Sequence, residues 1–283
     1  MHHPASSSGF TFIELSIVLV IIGLIVGGIL VGRDLISAAE VRSQISQIEK
    51  YNSAVNTFRA KFNAIPGDMP PSIANQFGFS TGASCSGTLA RRDGDGLLHG
   101  WASFFLDQTF GETGLFWVDI SSPVAGSLID GRFPNSGADA VDCATWAYGL
   151  TLVPGTTYIG DYLPVGKIGH GTFLYVYENN GYNWYGLSAV TSTFSTGSGR
   201  LFSNPTIPVI QSYNIDKKID DGLPTTGVVV AAYINDHVSV QQANAQTTDT
   251  TTSCYNTSSN VYSIGSAANY GNGGNCALSF RFQ

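Results

Sequence analysis

The chain has 283 residues, enough to build a hydrophobic core in one large domain or two small ones. Only 12% of them are charged, against about 25% in typical soluble proteins, and the 33 glycines sit among abundant Ser, Thr and Asn. That composition suits secreted, loop-rich β structure better than a cytosolic enzyme, and a net charge of -7 excludes the basic face of a general nucleic-acid binder.

Residues 9 to 32 form an apolar run that holds a single charged residue, Glu14. From Phe10 to Gly32 there are 23 residues, which at ~1.5 Å each cross the ~30 Å hydrocarbon core of a bilayer. A carboxylate inside such a segment costs a few kcal/mol, so it calls for a dedicated partner. A secretory signal peptide fits poorly, because the apolar run is too long and no small-x-small site follows it. A plain signal anchor accounts for the hydrophobicity but not for Glu14.

The residues Gly9-Phe10-Thr-Phe-Ile-Glu14-Leu15 resemble the N-terminus of the type IV prepilin superfamily, which includes type IV pilins, type II secretion pseudopilins and competence pilins. The resemblance covers about the first fifth of the chain. It implies cleavage between Gly9 and Phe10 by a prepilin peptidase, N-methylation of Phe10 by the same enzyme, and pairing of Glu14 with a neighbouring subunit during assembly on an inner-membrane platform. It departs from the family in two places: residues 1–9 contain no Lys or Arg, and the apolar run lacks the proline that many pilins carry.

Past the membrane segment, Val41, Ile45, Ile48, Val55, Phe58 and Phe62 recur at spacings of three, four and seven, one apolar helical stripe. Pro66-Gly67 stops it. The spacing predicts one helix from Phe10 to about Phe62, with Gly23, Gly27, Gly28 and Gly32 permitting close helix approach. The expected organisation is a leader at 1–9, a transmembrane segment at 10–32, a periplasmic extension at 33–65 and a β-rich head at 66–283. The fold class is α+β, a long N-terminal transmembrane helix packed on a largely antiparallel sheet, pilin-like.

In the head, Trp101 to Phe116 reads as a helix interrupted near Gly111–Gly114. Thr172–Glu178 and Tyr182–Val190 read as paired strands around the tight turn Asn179-Asn180-Gly181. Tyr213 to Asp221 reads as a short helix, Gly227–Ile234 as a strand, residues 242–275 as a loop, and Ala277–Phe282 as a closing strand. The stretch from Phe62 to Pro70 resembles a helix-ending turn common in large prepilin-type proteins, and Ile215 to Gly227 resembles a second segment of that group.

Four cysteines without CxxC spacing point to disulfides in an oxidising periplasm. Among three connectivities, Cys254–Cys276 with Cys85–Cys143 closes the smallest loops. Asp93-Gly-Asp95-Gly96 alternates carboxylates with glycines and is a candidate calcium turn through Asp93 and Asp95, weighed against a solvated turn because the closing glutamate of an EF-hand loop is absent. Asp216 and Asp220, four apart, would share a helix face. Tyr175, Tyr177, Tyr182, Trp184 and Tyr185 cluster at the hairpin, as core or as an adhesive face. No nucleophile with its base is visible, and His99, His170 and His237 are scattered, so neither an enzyme nor an obligatory cofactor is expected. The resemblance implies a structural subunit, by its length a minor one, of a pilus or pseudopilus, anchored in the inner membrane with a periplasmic head. Its rival is a signal-anchored periplasmic or surface binding protein or adhesin that never polymerises.

Overall fold

The computed structural model describes residues 11–79, 92–100, 111–133, 159–193, 201–236, 239–265 and 270–282. It divides into two compact units, Met1–Glu40 and Val41–Gln283. Helix α1, Phe12–Phe62, runs through both.

From Leu15 to Gly32 the helix is apolar on nearly every side, and no residue from Phe12 to Glu40 is buried. Phe12 is 87% exposed and Leu24 is 73% exposed, which in water would be untenable for so many large side chains. Among the described residues this is the one helix long and apolar enough to cross a membrane.

In the second unit α1 buries Val41, Gln44, Gln47, Ile48, Tyr51, Ala54, Val55, Phe58 and Phe62. Ile45 of the sequence stripe is only half-buried. Two glutamines and a tyrosine complete the face instead. Gln44 Oε1 accepts the Ile168 N–H at 3.0 Å and Gln47 Oε1 accepts the Lys167 N–H at 3.0 Å. Gln47 Nε2 donates to the Val165 carbonyl at 2.9 Å and to the Tyr51 hydroxyl at 3.0 Å. These bonds satisfy a turn that would otherwise lay bare backbone groups against the helix. After α1 come α2 (Pro71–Phe77) and α3 (Gly111–Ser121).

The main sheet is antiparallel. Strands β1 (Phe173–Asn179) and β2 (Tyr182–Thr193) form a hairpin, β12 (Leu278–Arg281) pairs the other edge of β2, and β5 (Val229–Val230) pairs β12. Strand β3 (Leu201–Asn204) extends the pairing of β2 past a bulge between Val190 and Ser192. The hairpin turns on Asn180 and Gly181, both at positive φ (54° and 77°), the conformation a two-residue turn of matching twist needs. Gly186 on β2 lies under the Tyr175 ring, where a Cβ would meet Tyr175 Cε2 at 2.1 Å.

The core joins α1, α3 and the sheet through aromatic rings. Tyr51 meets Trp117 at 5.1 Å between centroids, Phe116 meets Tyr185 at 6.1 Å, and Tyr185 stacks on Phe282 at 4.1 Å. A smaller cluster of Phe58, Phe62, Met69, Ala74, Phe79 and Ala125 closes the end of α1.

Several expected elements shift. Of the helix expected at Trp101–Phe116, residues 101–110 lie outside the described set, and the described helix α3 runs past the expected end to Ser121. Gly111 takes a positive φ of 60°, which glycine adopts without strain. Helix α4 spans Val209–Ile219, four residues ahead of the expected start, because Pro208 is suited to entering a helix. The strand expected at 227–234 is split into β5 and β6 (Ala232–Ile234). The loop expected at 242–275 instead carries short strands: β8 (Ala245–Gln246), β9 (Tyr255–Asn256), β10 (Val261–Tyr262) and β11 (Gly274–Cys276). β9 and β10 pair antiparallel with only two residues each, β8 pairs β9 in parallel, and β11 finds its partner outside the stretch, which a local pattern does not reveal. Strand β11 pairs β4 (Ile207–Pro208), while β7 (Val240–Gln242) pairs β6.

Candidate functional site

At the start of α1, Thr11 precedes the first helical residue and Glu14 lies three positions on. The Thr11 N–H donates to Glu14 Oε2 at 2.7 Å, and the Thr11 hydroxyl donates to the same oxygen at 2.9 Å. The Glu14 N–H approaches Thr11 Oγ1 at 3.3 Å in return. This is a reciprocal capping box: each side chain satisfies a backbone N–H that the helix leaves without a carbonyl. The carboxylate also lies at the positive end of the helix dipole. The sequence signal was present as Thr-x-x-Glu. Gly9 and Phe10 lie outside the described residues.

A second polar cluster is buried in the head, where the Asp93-Gly-Asp95-Gly96 turn folds over Asp68. Asp68 Oδ1 accepts the Gly94 N–H at 2.6 Å and Oδ2 accepts the Gly96 N–H at 2.7 Å. Glu112 Oε2 accepts the His99 N–H at 2.7 Å. Asn183 of β2 docks the same loop, accepting the Leu98 N–H at 2.8 Å and donating to the Gly96 carbonyl at 2.8 Å. Beside it Arg92 and Asp119 form a fully buried two-pronged ion pair, both contacts 2.7 Å, and Asp119 Oδ2 also accepts the Gly67 N–H at 2.8 Å.

Burial raises the carboxyl of Asp68 to about 6 against the pull of the two amide donors. Burial, joined by the neighbouring Asp68 charge, drives Glu112 far above its ordinary value, so Glu112 is the protonated member and donates to Asp68. Oxygens of Asp68, Asp93 and Glu112 lie within 4.8 Å of one another, as do ligand atoms of Asp93, Asp95 and His99. Oxygens of Asp216, Asp220 and Asp221 form a third such group. These groups could hold a hard cation, and in the first of them doing so requires Glu112 to give up its proton. Asp93 and Asp95 also serve the turn itself, accepting the N–H groups of Asp95 at 3.1 Å and Leu97 at 2.8 Å. Asp68, Arg92, Glu112 and Asp119 escaped sequence reasoning because their partners are 13 to 52 residues away.

The third acidic group does not share a helix face. α4 ends at Ile219, and Asp220 is its non-helical C-terminal cap. Asp216 accepts the Tyr262 hydroxyl at 2.8 Å and the Gly222 N–H at 3.1 Å, and burial raises its carboxyl to about 7. Asp220 accepts the N–H groups of Val228 and Val229, and Asp221 accepts the Thr226 hydroxyl at 2.7 Å. All three carboxylates thus shape the turn from α4 to β5.

Cys254 and Cys276 are joined in a disulfide with Cα atoms 4.9 Å apart. Cys85 and Cys143 lie outside the described residues. Of the hairpin aromatics, Tyr175, Tyr177, Trp184 and Tyr185 are buried. Only Tyr182 is exposed, with the Arg281 guanidinium 4.8 Å from its ring centre. An adhesive face built from this cluster is therefore not present: alternation along β2 sends these rings to the core on both of its faces.

Residues 4–30 match the family model described as the prokaryotic N-terminal methylation motif. No curated protein and no solved structure matches the chain.

Proposed function

Starting from the prepilin-type cleavage and methylation signature that the chain carries at residues 4–30, we propose that it is a structural subunit, by its size a minor one, of a type IV pilus or type II secretion pseudopilus. The observation that carries this reading is the motif match coinciding with one acid, Glu14, at the head of an otherwise apolar, unburied helical segment. The subunit waits in the inner membrane with its head in the periplasm. A prepilin peptidase cuts Gly9–Phe10 on the cytoplasmic side and methylates the new amine. Glu14 then neutralises the Phe10 amine of the adjacent subunit. Among packed apolar helices an unpaired carboxylate would be expensive, so that contact also fixes axial register.

Two measurements test it. Mass spectrometry of the protein from cells with a working prepilin peptidase should give a chain starting at N-methylated Phe10. An intact first nine residues would instead favour an anchored binding protein. Glu14→Ala should leave membrane insertion intact and abolish incorporation into filaments.

A further inference from the structure

We infer that Thr11 is a positioning residue for Glu14: in the unassembled subunit it holds the carboxylate folded back onto the N-terminal end of α1, beside the backbone amide of the first residue after Phe10. This rests on the assembly reading and adds the state from which assembly starts. The geometry is the reciprocal pair of contacts, Thr11 N–H and hydroxyl to Glu14 Oε2 at 2.7 and 2.9 Å, returned by the Glu14 N–H to Thr11 Oγ1 at 3.3 Å.

Two consequences follow. First, three of the four contacting atoms belong to groups that cleavage at Gly9–Phe10 leaves untouched, and the fourth, the Thr11 amide, belongs to the Phe10–Thr11 peptide bond, which also survives. The box therefore persists through processing. Second, covalent geometry puts the amine released on Phe10 only three bonds from the Thr11 amide nitrogen, within about 4 Å of it. The carboxylate is thus held within reach of a terminus about to become cationic. Without the hydroxyl, Glu14 keeps one backbone donor and is free to swing to other rotamers along an apolar helix, where no other side chain in the segment 12–32 can donate to it except Ser16. Ser16 already donates its hydroxyl to the Ile13 carbonyl at 2.8 Å. The arrangement makes Thr11 the group that aims the carboxylate, and assembly an exchange of these bonds for an intersubunit one.

The test uses the full chain. Thr11→Val keeps the shape and removes the hydroxyl, and Thr11→Ser restores it. In processed subunits in lipid nanodiscs, the Thr11 amide should exchange slowly with solvent and at least about fivefold faster in Glu14→Ala, the size of a lost N-cap. In filament-incorporation assays Thr11→Val should be cut several-fold at unchanged Gly9–Phe10 cleavage, with Thr11→Ser near wild type. Incorporation of Thr11→Val at or above the wild-type level, or failure of Thr11→Ser to rescue, overturns the positioning role. If Glu14→Ala itself incorporates normally, the assembly reading falls; if it fails while Thr11→Val is normal, only the present inference does.

Discussion

The two halves of α1 are one helix by hydrogen bonding and two different objects by chemistry. Up to Glu40 the helix buries nothing, and it opens on the polar cap made by Thr11 and Glu14. From Val41 onward it buries nine residues, among them Gln44, Gln47 and Tyr51, of which Gln44 Oε1, the Gln47 amide and the Tyr51 hydroxyl hydrogen-bond within the head. Apolar character alone therefore does not mark the half that packs on protein. The packed half mixes apolar side chains with amides that close a specific turn, whereas the bare half is almost wholly apolar from Leu15 to Gly32, which suits surroundings that offer no hydrogen bonds. The same division predicts where substitutions will be felt.

The largest effect should come from the buried ion pair of the head. Asp119→Ala leaves the Arg92 guanidinium without its two-pronged partner in a fully buried site and removes the acceptor of the Gly67 N–H. Stripping one partner of such a pair costs about 3–5 kcal/mol. Denaturant unfolding of the full chain in detergent should show a loss of that order, and a change under 1 kcal/mol would mean that the pair is not buried in solution. Next in size is the Cys254–Cys276 bridge, which closes a 22-residue separation in a stretch of two- and three-residue strands. Replacing both cysteines by serine should cost about 3 kcal/mol by the loop-closure argument, read in the same assay.

The ion pair also shows what was hidden in the sequence. Arg92 stands next to Asp93-Gly-Asp95-Gly96, a pattern that draws the eye as a cation loop, yet the atoms that organise that loop come from Asp68, Glu112 and Asn183. Nothing local announces those partners, since a buried carboxylate looks like a surface one until its neighbours are known. The hairpin at Asn180-Gly181, the closing strand and the length of α1 were legible because each is encoded by neighbouring residues. The strands between 242 and 275 were not, since β9 pairs β8 in parallel and β11 pairs β4 across most of the intervening chain. At the N-terminus the motif was legible outright, and Thr11's part in it followed from capping rules once the contact was seen.

A pH series separates the head from the membrane half in a third way. Asp216 is raised to about 7 in the folded chain from an unfolded value of 3.8, and Asp68 is raised to about 6, each chiefly by burial. A carboxyl with a raised folded pKa binds its proton more tightly when folded. Its contribution is therefore fully present below about pH 4 and is lost as the pH climbs through the folded value. The head should lose stability steadily between about pH 4 and pH 7, and Asp216→Asn should flatten the upper part of that slope. A wild-type chain that gains stability over the same interval would contradict the burial of these groups.

The smallest expected effect is the sharpest test of the contrast between the halves. Leu24 is as large and apolar as Leu174 of the core, but it is 73% exposed where Leu174 is wholly buried. Leu24→Ala should leave the unfolding midpoint of the head within about 0.5 kcal/mol of wild type, whereas Leu174→Ala should lower it by about 2–5 kcal/mol. Any consequence of Leu24→Ala should surface only in membrane insertion or filament incorporation, since those are the settings in which its side chain acquires neighbours. A drop in head stability from Leu24→Ala would contradict the exposure of its side chain.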